Sequence, residues 1–203
     1  AAMLGRSAAG NVLGVGVGIP GSLESRTGRV IAAENLNWFN VEFGRLLRGR
    51  LALPFRFENN ARVAALAERW FRTPGDRELH DFVFVMMSGG LGAGIITNGR
   101  LLEGFSGTAG EFGHISLHPE GRPCSCGSRG CLEEYASDRA LLRYYAEESG
   151  CNSLPAAEAV LELAGGGDRA ALAAVHRMAR ELALGLSNLV WIFNPEAVVV
   201  GGC

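Results

Sequence analysis

Short apolar stretches separated by glycine- and proline-bearing turns organise the first third of the chain. Val12–Gly18 is an apolar run that closes in a Pro20-Gly21 turn and reads as a short buried strand. A second strand is expected at Arg29–Ala33, after the polar turn Ser25-Arg26-Thr27-Gly28. Phe43, Leu46, Leu47 and Leu51 then recur at helical spacing, and Pro54 marks the break before a strand at Phe55–Glu58. Asn59 is suited to cap a helix whose apolar face carries Val63, Leu66, Trp70 and Phe71. The segment TPGDRELHD (73–81) is the most turn-rich polar stretch. It divides the chain into a lobe at 1–78 and a second lobe at 79–203.

In the second lobe, Phe82–Met87 is a continuous apolar strand. Gly94–Thr97, Asn98-Gly99 and Arg100–Leu102 together form a hairpin signal. Further on the pattern becomes helical. Asp168 can cap a long helix with one apolar stripe of Leu172, Val175, Ala179, Leu182, Leu186, Leu189 and Phe193. Pro195 ends that helix, and Ala197–Val200 is a short strand stopping at Gly201-Gly202. Glycines 165–167 form a linker-sized turn, and no repeat, coiled coil or low-complexity tract interrupts the α/β pattern.

Composition narrows the class. The chain has 203 residues, enough for a sizeable core, and 48% are hydrophobic. No apolar run approaches the ~18–20 residues needed to span a bilayer, so a cytoplasmic globular protein with no membrane partner is expected. The net charge of −2 supplies no electrostatic reason to expect nucleic-acid binding by this segment itself.

Chemistry concentrates between residues 107 and 137. His114, Cys124, Cys126 and Cys131 place one imidazole and three thiols within a short span, the donor set of a tetrahedral Cys3His zinc site. Glycines 127 and 130 allow the backbone to fold tightly around an ion. Four protein donors leave no open position, so Zn2+ in segment 114–131 would be structural. Buried thiols or a disulfide are the competing readings, but C-x-C pairs rarely meet disulfide geometry and no secretory signal is visible. Cys151 and Cys203 remain as ordinary reduced thiols.

The same segment, G-x-x-G-E-x-G-H followed by P-x-G-x-x-C-x-C-G-x-x-G-C-L-E, resembles the signature of the ROK family of repressors, open reading frames and sugar kinases. Further matching pieces occur in order: GVGVGIPG (14–21), FENNARVAALAE (57–68), SGGLGAGIITNGRLLEG (88–104) and NPEAVVVGG (194–202). The resemblance implies a two-lobed, actin-like or ribonuclease-H-like α/β fold, here incomplete at both ends. It implies a sugar or sugar phosphate as ligand and a dimeric or tetrameric homo-oligomer. The sugar ligands it implies are Asn59, Asn60, Glu111, His114 and Glu133, and the nucleotide-like loops are Ser88-Gly89-Gly90 and Gly201-Gly202. His114 would meet zinc with one ring nitrogen and a sugar hydroxyl with the other. Elsewhere Glu111 and Glu133 would read as solvated charges. Beside a metal-bound loop they read as functional, whereas Glu134 is expected to be solvated.

Departures from the resemblance bear on function. Family kinases carry Asn-Asp where this chain has Asn59-Asn60, and the aspartate is the general base. An amide keeps the hydrogen-bonding shape but accepts no proton. Where kinases commonly show Gly-Thr-Gly, this chain has Ser88-Gly89-Gly90. An early phosphate loop is not seen before Gly14, and the chain ends one residue after Gly202. The expectation is therefore the sugar-binding effector and oligomerisation domain of a transcriptional regulator, without catalytic residues and touching DNA only through an N-terminal domain not seen in this chain. The alternative is an ATP-dependent hexose or N-acetylhexosamine kinase.

Overall fold

A computed structural model describes residues 12–71, 77–151 and 156–202. The expected lobe boundary therefore lies partly outside the described residues, as does Cys203. Strand β1 (Val15–Ile19) begins where its amide can pair, with Val15 N donating to Pro54 O at 2.8 Å. It runs parallel to β5 (Phe55–Asn59), Val15 opposite Phe55 and Ile19 opposite Asn59. Between them, β2 (Ser22–Glu24), β3 (Arg29–Ala33) and β4 (Trp38–Val41) form an antiparallel sheet, followed by the short helix α1 (Phe43–Arg48). Ile19, Leu23, Val30, Ala33 and Phe57 make the core of this region, with Trp38 and Phe43 packed against it.

Helix α2 (Asn60–Phe71) starts as its sequence demands. The Asn59 carboxamide oxygen accepts from Ala61 N at 2.8 Å and Arg62 N at 3.3 Å. Its buried face, however, is not the expected one. Val63, Trp70 and Phe71 are 39%, 65% and 80% exposed, while Ala61, Arg62 and Ala65 are buried. The reason is close approach to strand β7 (Leu91–Thr97). A Cβ placed on Gly94 would stand 2.4 Å from Ala65 Cβ and 2.7 Å from Ala61 O. Only small residues fit on the helix side of such a contact, so the large apolar residues turn outward. Leu66 alone of the expected face joins the core formed by Ala65, Leu79, Phe82 and Ile96.

The second region is built on a four-stranded sheet ordered β8-β7-β6-β9. Strand β6 (Phe82–Met87) lies antiparallel to β7 and parallel to β9 (Ala197–Gly202), while β8 (Arg100–Leu101) completes the expected hairpin. Asn98 and Gly99 both have positive φ, 49° and 68°, which a two-residue hairpin turn of the type I′ kind requires. Helices α3 (Asp138–Ser149), α4 (Ala157–Gly165) and α5 (Arg169–Phe193) belong to the main core with Val83, Val85, Ile95, Phe112 and Leu132.

Asp168 caps α5 as expected, accepting from Ala171 N at 2.8 Å. The apolar stripe is rotated, however. Ala171, Ala174, Met178, Gly185 and Leu189 are buried, Leu172, Val175, Leu182 and Leu186 half-buried, and Ala179 and Phe193 exposed. Gly185 sets this rotation, because a Cβ there would stand 2.3 Å from Leu132 Cδ2. Among the described residues no helix is long and apolar enough to cross a membrane.

The α2–β7 contact carries a stability prediction. Gly94→Ala should destabilise the fold by about 1–3 kcal/mol, because the added methyl meets backbone as well as side chain. Gly165→Ala, with open space around its Cβ near the end of α4, should be neutral or stabilising by up to about 1 kcal/mol. Urea denaturation of both variants checks this, and equal midpoints would refute the close-packing argument.

Candidate metal centre and ligand cleft

The segment that follows β8 holds little regular structure, and its shape comes from specific backbone contacts. A 3-10 turn at Phe112–His114 buries Phe112 and presses Gly113 so close to Leu91 O that a Cβ would stand 2.2 Å away. Two isolated bridges, Ser116 with Cys131 and Pro123 with Arg129, then fold residues 115–131 back on themselves. Gly130 permits the tightest point. Its φ is +69°, and a Cβ would fall 1.6 Å from His118 O.

This folding brings the four expected donors together. One ligand atom each from His114, Cys124, Cys126 and Cys131 lies within 4.8 Å of all the others. Cys124 Sγ is 3.6 Å from His114 Nδ1, and Cys126 Sγ is 3.7 Å from Cys131 Sγ. Donors around a tetrahedral zinc, with bonds of about 2.0–2.3 Å, stand roughly 3.3–3.8 Å apart, so these two separations suit the ion. Cys124 and Cys131 are buried and Cys126 is exposed. Burial pushes the Cys124 and Cys131 thiols up, so an incoming cation must displace their protons. Bound there, a zinc ion would supply cross-linking of the loop rather than an open coordination position.

Adjoining the cluster is a cleft of about 650 Å³. Asn59, Asn60, Ser88, Gly89, Gly90, Glu111, His114 and Glu133 all line it. Asn59 and Asn60 come from the β5–α2 junction, and Ser88–Gly90 from the turn between β6 and β7. The others come from the metal-ligating segment and the 3-10 turn Leu132–Glu134. Asn59 also ties the walls, donating from Nδ2 to Gly21 O at 3.0 Å. Gly201 and Gly202 are not in the lining. They pair with Met86 and Met87 at the end of β9, beside the strand that leads into Ser88.

Glu133 stands between the two features. It is 7% exposed, and its Oε1 accepts from Cys124 Sγ at 3.3 Å and lies 3.7 Å from His114 Nδ1. The opposite imidazole nitrogen, Nε2, lies 3.9 Å from Glu111 Oε2. His114 thus turns one nitrogen to the thiol cluster and the other to a cleft carboxylate. Burial raises the Glu111 carboxyl above its ordinary range, with His114 and Arg62 opposing and Glu133 adding to the rise.

Sequence reasoning missed several groups. Glu34, Asn35, Ser125 and Arg139 also line the cleft. Arg139, just past the Ser137 cap of α3, reaches Glu133 and Glu134 at 3.9 and 4.0 Å. No periodicity marks such residues, and only position after a cap offered a signal. Glu134 is not solvated as expected. Its side chain is 11% exposed and pairs with Arg143 at 3.3 Å.

These features define a mixed α/β protein with a cleft of about 650 Å³, one wall of which is shaped by a candidate metal-ligating loop. Residues 3–203 match the ROK family, and the chain belongs to it. A xylose repressor of Caldicellulosiruptor bescii is 37% identical over 203 residues, covering 94% of this chain and 50% of that protein. A glucokinase of Thermotoga maritima is 35% identical over 202 residues, covering 93% of this chain and 63% of the enzyme. The chain thus spans about half to two thirds of the length of the curated relatives it matches.

Among solved structures, a ROK family glucokinase from Streptomyces griseus in complex with glucose and AMPPNP superposes with a TM-score of 0.87 at 33% identity. The match covers 95% of this chain and 66% of that one. A ROK family transcriptional regulator, a homolog of the E. coli MLC protein, superposes at 0.82 with 29% identity, covering 97% and 52%. The fold is the actin-like α/β fold of these proteins.

The donor set predicts about one zinc per chain in protein purified without added metal, as read by elemental analysis. Cys126→Ser should release the ion and expose the segment carrying Glu111 and Glu133 to protease. Because the buried thiols must lose protons to bind metal, affinity should fall as pH falls. A well-folded, metal-free protein would contradict this assignment.

Proposed function

We propose that the chain is the sugar-binding effector and oligomerisation portion of a ROK-type transcriptional regulator. The observation that carries the reading is Asn60 in the cleft wall. Its carboxamide oxygen accepts from Ala61 N at 2.9 Å. A sugar kinase needs a carboxylate at this place to take the proton from the attacking hydroxyl, and an amide offers shape without basicity. Of the carboxylates nearby, Glu133 is engaged with Cys124 and His114, and Glu111 faces His114. Such groups suit binding to vicinal hydroxyls, each accepting a charge-assisted hydrogen bond.

In this reading His114, Cys124, Cys126 and Cys131 hold a structural Zn2+, and the metal keeps His114, Glu111 and Glu133 in register for the ligand. Ser88-Gly89-Gly90 lines the cleft without the threonine hydroxyl of the kinase turn. DNA contact belongs to a part of the protein outside this chain, and assembly joins copies of it. A reducing, cytoplasmic setting would keep Cys124, Cys126 and Cys131 as thiols able to take up the metal.

A second reading, an ATP-dependent hexose or N-acetylhexosamine kinase, draws on the superposition with the glucose- and AMPPNP-bound glucokinase. The two separate by assay. Calorimetry of the protein carrying this chain, against hexoses, pentoses and amino sugars, should find a ligand. Glu133→Ala should weaken it by about 1.5–3 kcal/mol, roughly ten- to a hundredfold. ATP-dependent phosphorylation of the same sugars should stay at background, and Asn60→Asp alone should not create efficient turnover, because positioning of the phosphates is unchanged. Turnover that disappears in Glu111→Gln would establish the kinase reading instead.

A further inference from the structure

Arg62 is the largest fully buried side chain among the described residues, 2% exposed in the first turn of α2. It does not line the cleft. Its Nη1 donates to Gly107 O at 2.5 Å and stands 3.2 Å from Glu58 Oε1. The same carboxylate oxygen accepts from Asn59 N at 2.9 Å and from Ser25 Oγ at 3.4 Å. Nε and Nη2 of Arg62 have no hydrogen-bond partner among the described residues.

Packing alone does not account for a guanidinium here. The rest of this helix face approaches β7 with alanines, and a buried cation left partly unsatisfied costs free energy that an apolar side chain would avoid. What the arginine uniquely does is join three segments. Glu58 is the penultimate residue of the strand that delivers Asn59 and leads into Asn60. Ser25 lies just beyond β2. Gly107 lies in the loop that leads to Glu111. That loop needs a tether, because Gly104, Gly107 and Gly110 all take positive φ, at 72°, 77° and 94°. Its other hydrogen bonds among the described residues are Ala109 N to Glu103 O at 3.2 Å, Ala93 N to Gly110 O at 2.9 Å, Phe112 N to Gly110 O at 2.6 Å and Ser106 Oγ with Thr108 Oγ1 at 2.8 Å. All of these lie within the second region of the fold. Among the described residues, the Arg62 bond to Gly107 O is the one that ties the loop to the β5–α2 junction.

We infer that Arg62 is a positioning residue of the cleft: with Glu58 it clasps the 103–110 loop and sets the separation between the Asn59-Asn60 wall and the Glu111 wall. The inference rests on the sugar-cleft reading for its effect on affinity, but the clasp itself is independent of any ligand. The electrostatic influence of Arg62 on Glu111 agrees with this proximity.

Two measurements on Arg62→Gln, Arg62→Lys and Glu58→Gln test it. Amide hydrogen exchange in ligand-free protein should speed up about tenfold or more across 103–111 in Arg62→Gln, with β6, β7 and zinc content unaffected. Arg62→Lys, which keeps the charge and one donor, should recover most of the protection. Titration with D-glucose and D-xylose should show the parent's affinity for the bound sugar falling about tenfold in Arg62→Gln and largely restored in Arg62→Lys. If Arg62→Gln does not fold, Glu58→Gln takes its place, because it loosens the clasp while leaving the guanidinium in position.

Unchanged loop exchange in the folded variants would overturn the clasp. So would faster exchange spread evenly over the whole chain, the mark of an ordinary buried residue. A parent that binds neither sugar counts against the sugar reading, while the exchange data still decide the clasp.

Discussion

Convergence of His114, Cys124, Cys126 and Cys131 on a single point is the constraint around which the cleft is organised. The segment from 103 to 137 has almost no ladder hydrogen bonds of its own, and an irregular segment of that length is costly to order. Here the ordering comes from two isolated bridges, backbone bonds such as Leu117 N to Gly130 O and Leu132 N to Ile115 O, and a glycine at the tightest bend. His114 and Glu133 sit on two short 3-10 turns, Phe112–His114 and Leu132–Glu134, that meet at the donor cluster. Glu133 touches Cys124, and the His114 ring turns one nitrogen toward the thiols and the other toward Glu111.

The opposite wall depends on a different economy of space. Asn59 caps α2 through its carboxamide oxygen and donates to Gly21 through its nitrogen, so one side chain starts a helix and pins a turn. The helix then lies against β7 at a distance only alanine and glycine allow. The chemistry of the cleft between these walls is set by the few polar groups that line it. Asn60 is one of these, and an amide there accepts a hydrogen bond without taking up a proton.

Local signals proved legible where a residue's job is local. The Asn59 and Asp168 caps, the Asn98-Gly99 turn, the apolar β6 run and the break at Pro54 all stand where the chain itself indicated. The meeting of His114, Cys124, Cys126 and Cys131 was legible for the same reason, since cysteine and histidine at short spacing have few alternative uses. Helix faces were less legible. Val63, Trp70 and Phe71 carry the apolar periodicity of α2 yet face outward, because glycines thirty residues away in β7 admit only alanines. On α5, Gly185 rather than the leucine stripe determines which side meets Leu132 and Phe112.

Residue type and spacing were thus sufficient for the α/β class, the caps, the donor set and the ROK resemblance, because each follows from covalent geometry or ligand chemistry within a few residues. Which carboxylates are buried, which arginines bind them and which helix face is inward depended on contacts between distant segments. Arg62 and Glu58 are four residues apart, but the loop they hold is 45 residues from Arg62. Glu134, Arg139 and Arg143 form their pairs only once α3 packs beneath the 3-10 turn. Such arrangements leave no period in the chain, because the desolvation and charge pairing that create them exist only after the segments have met.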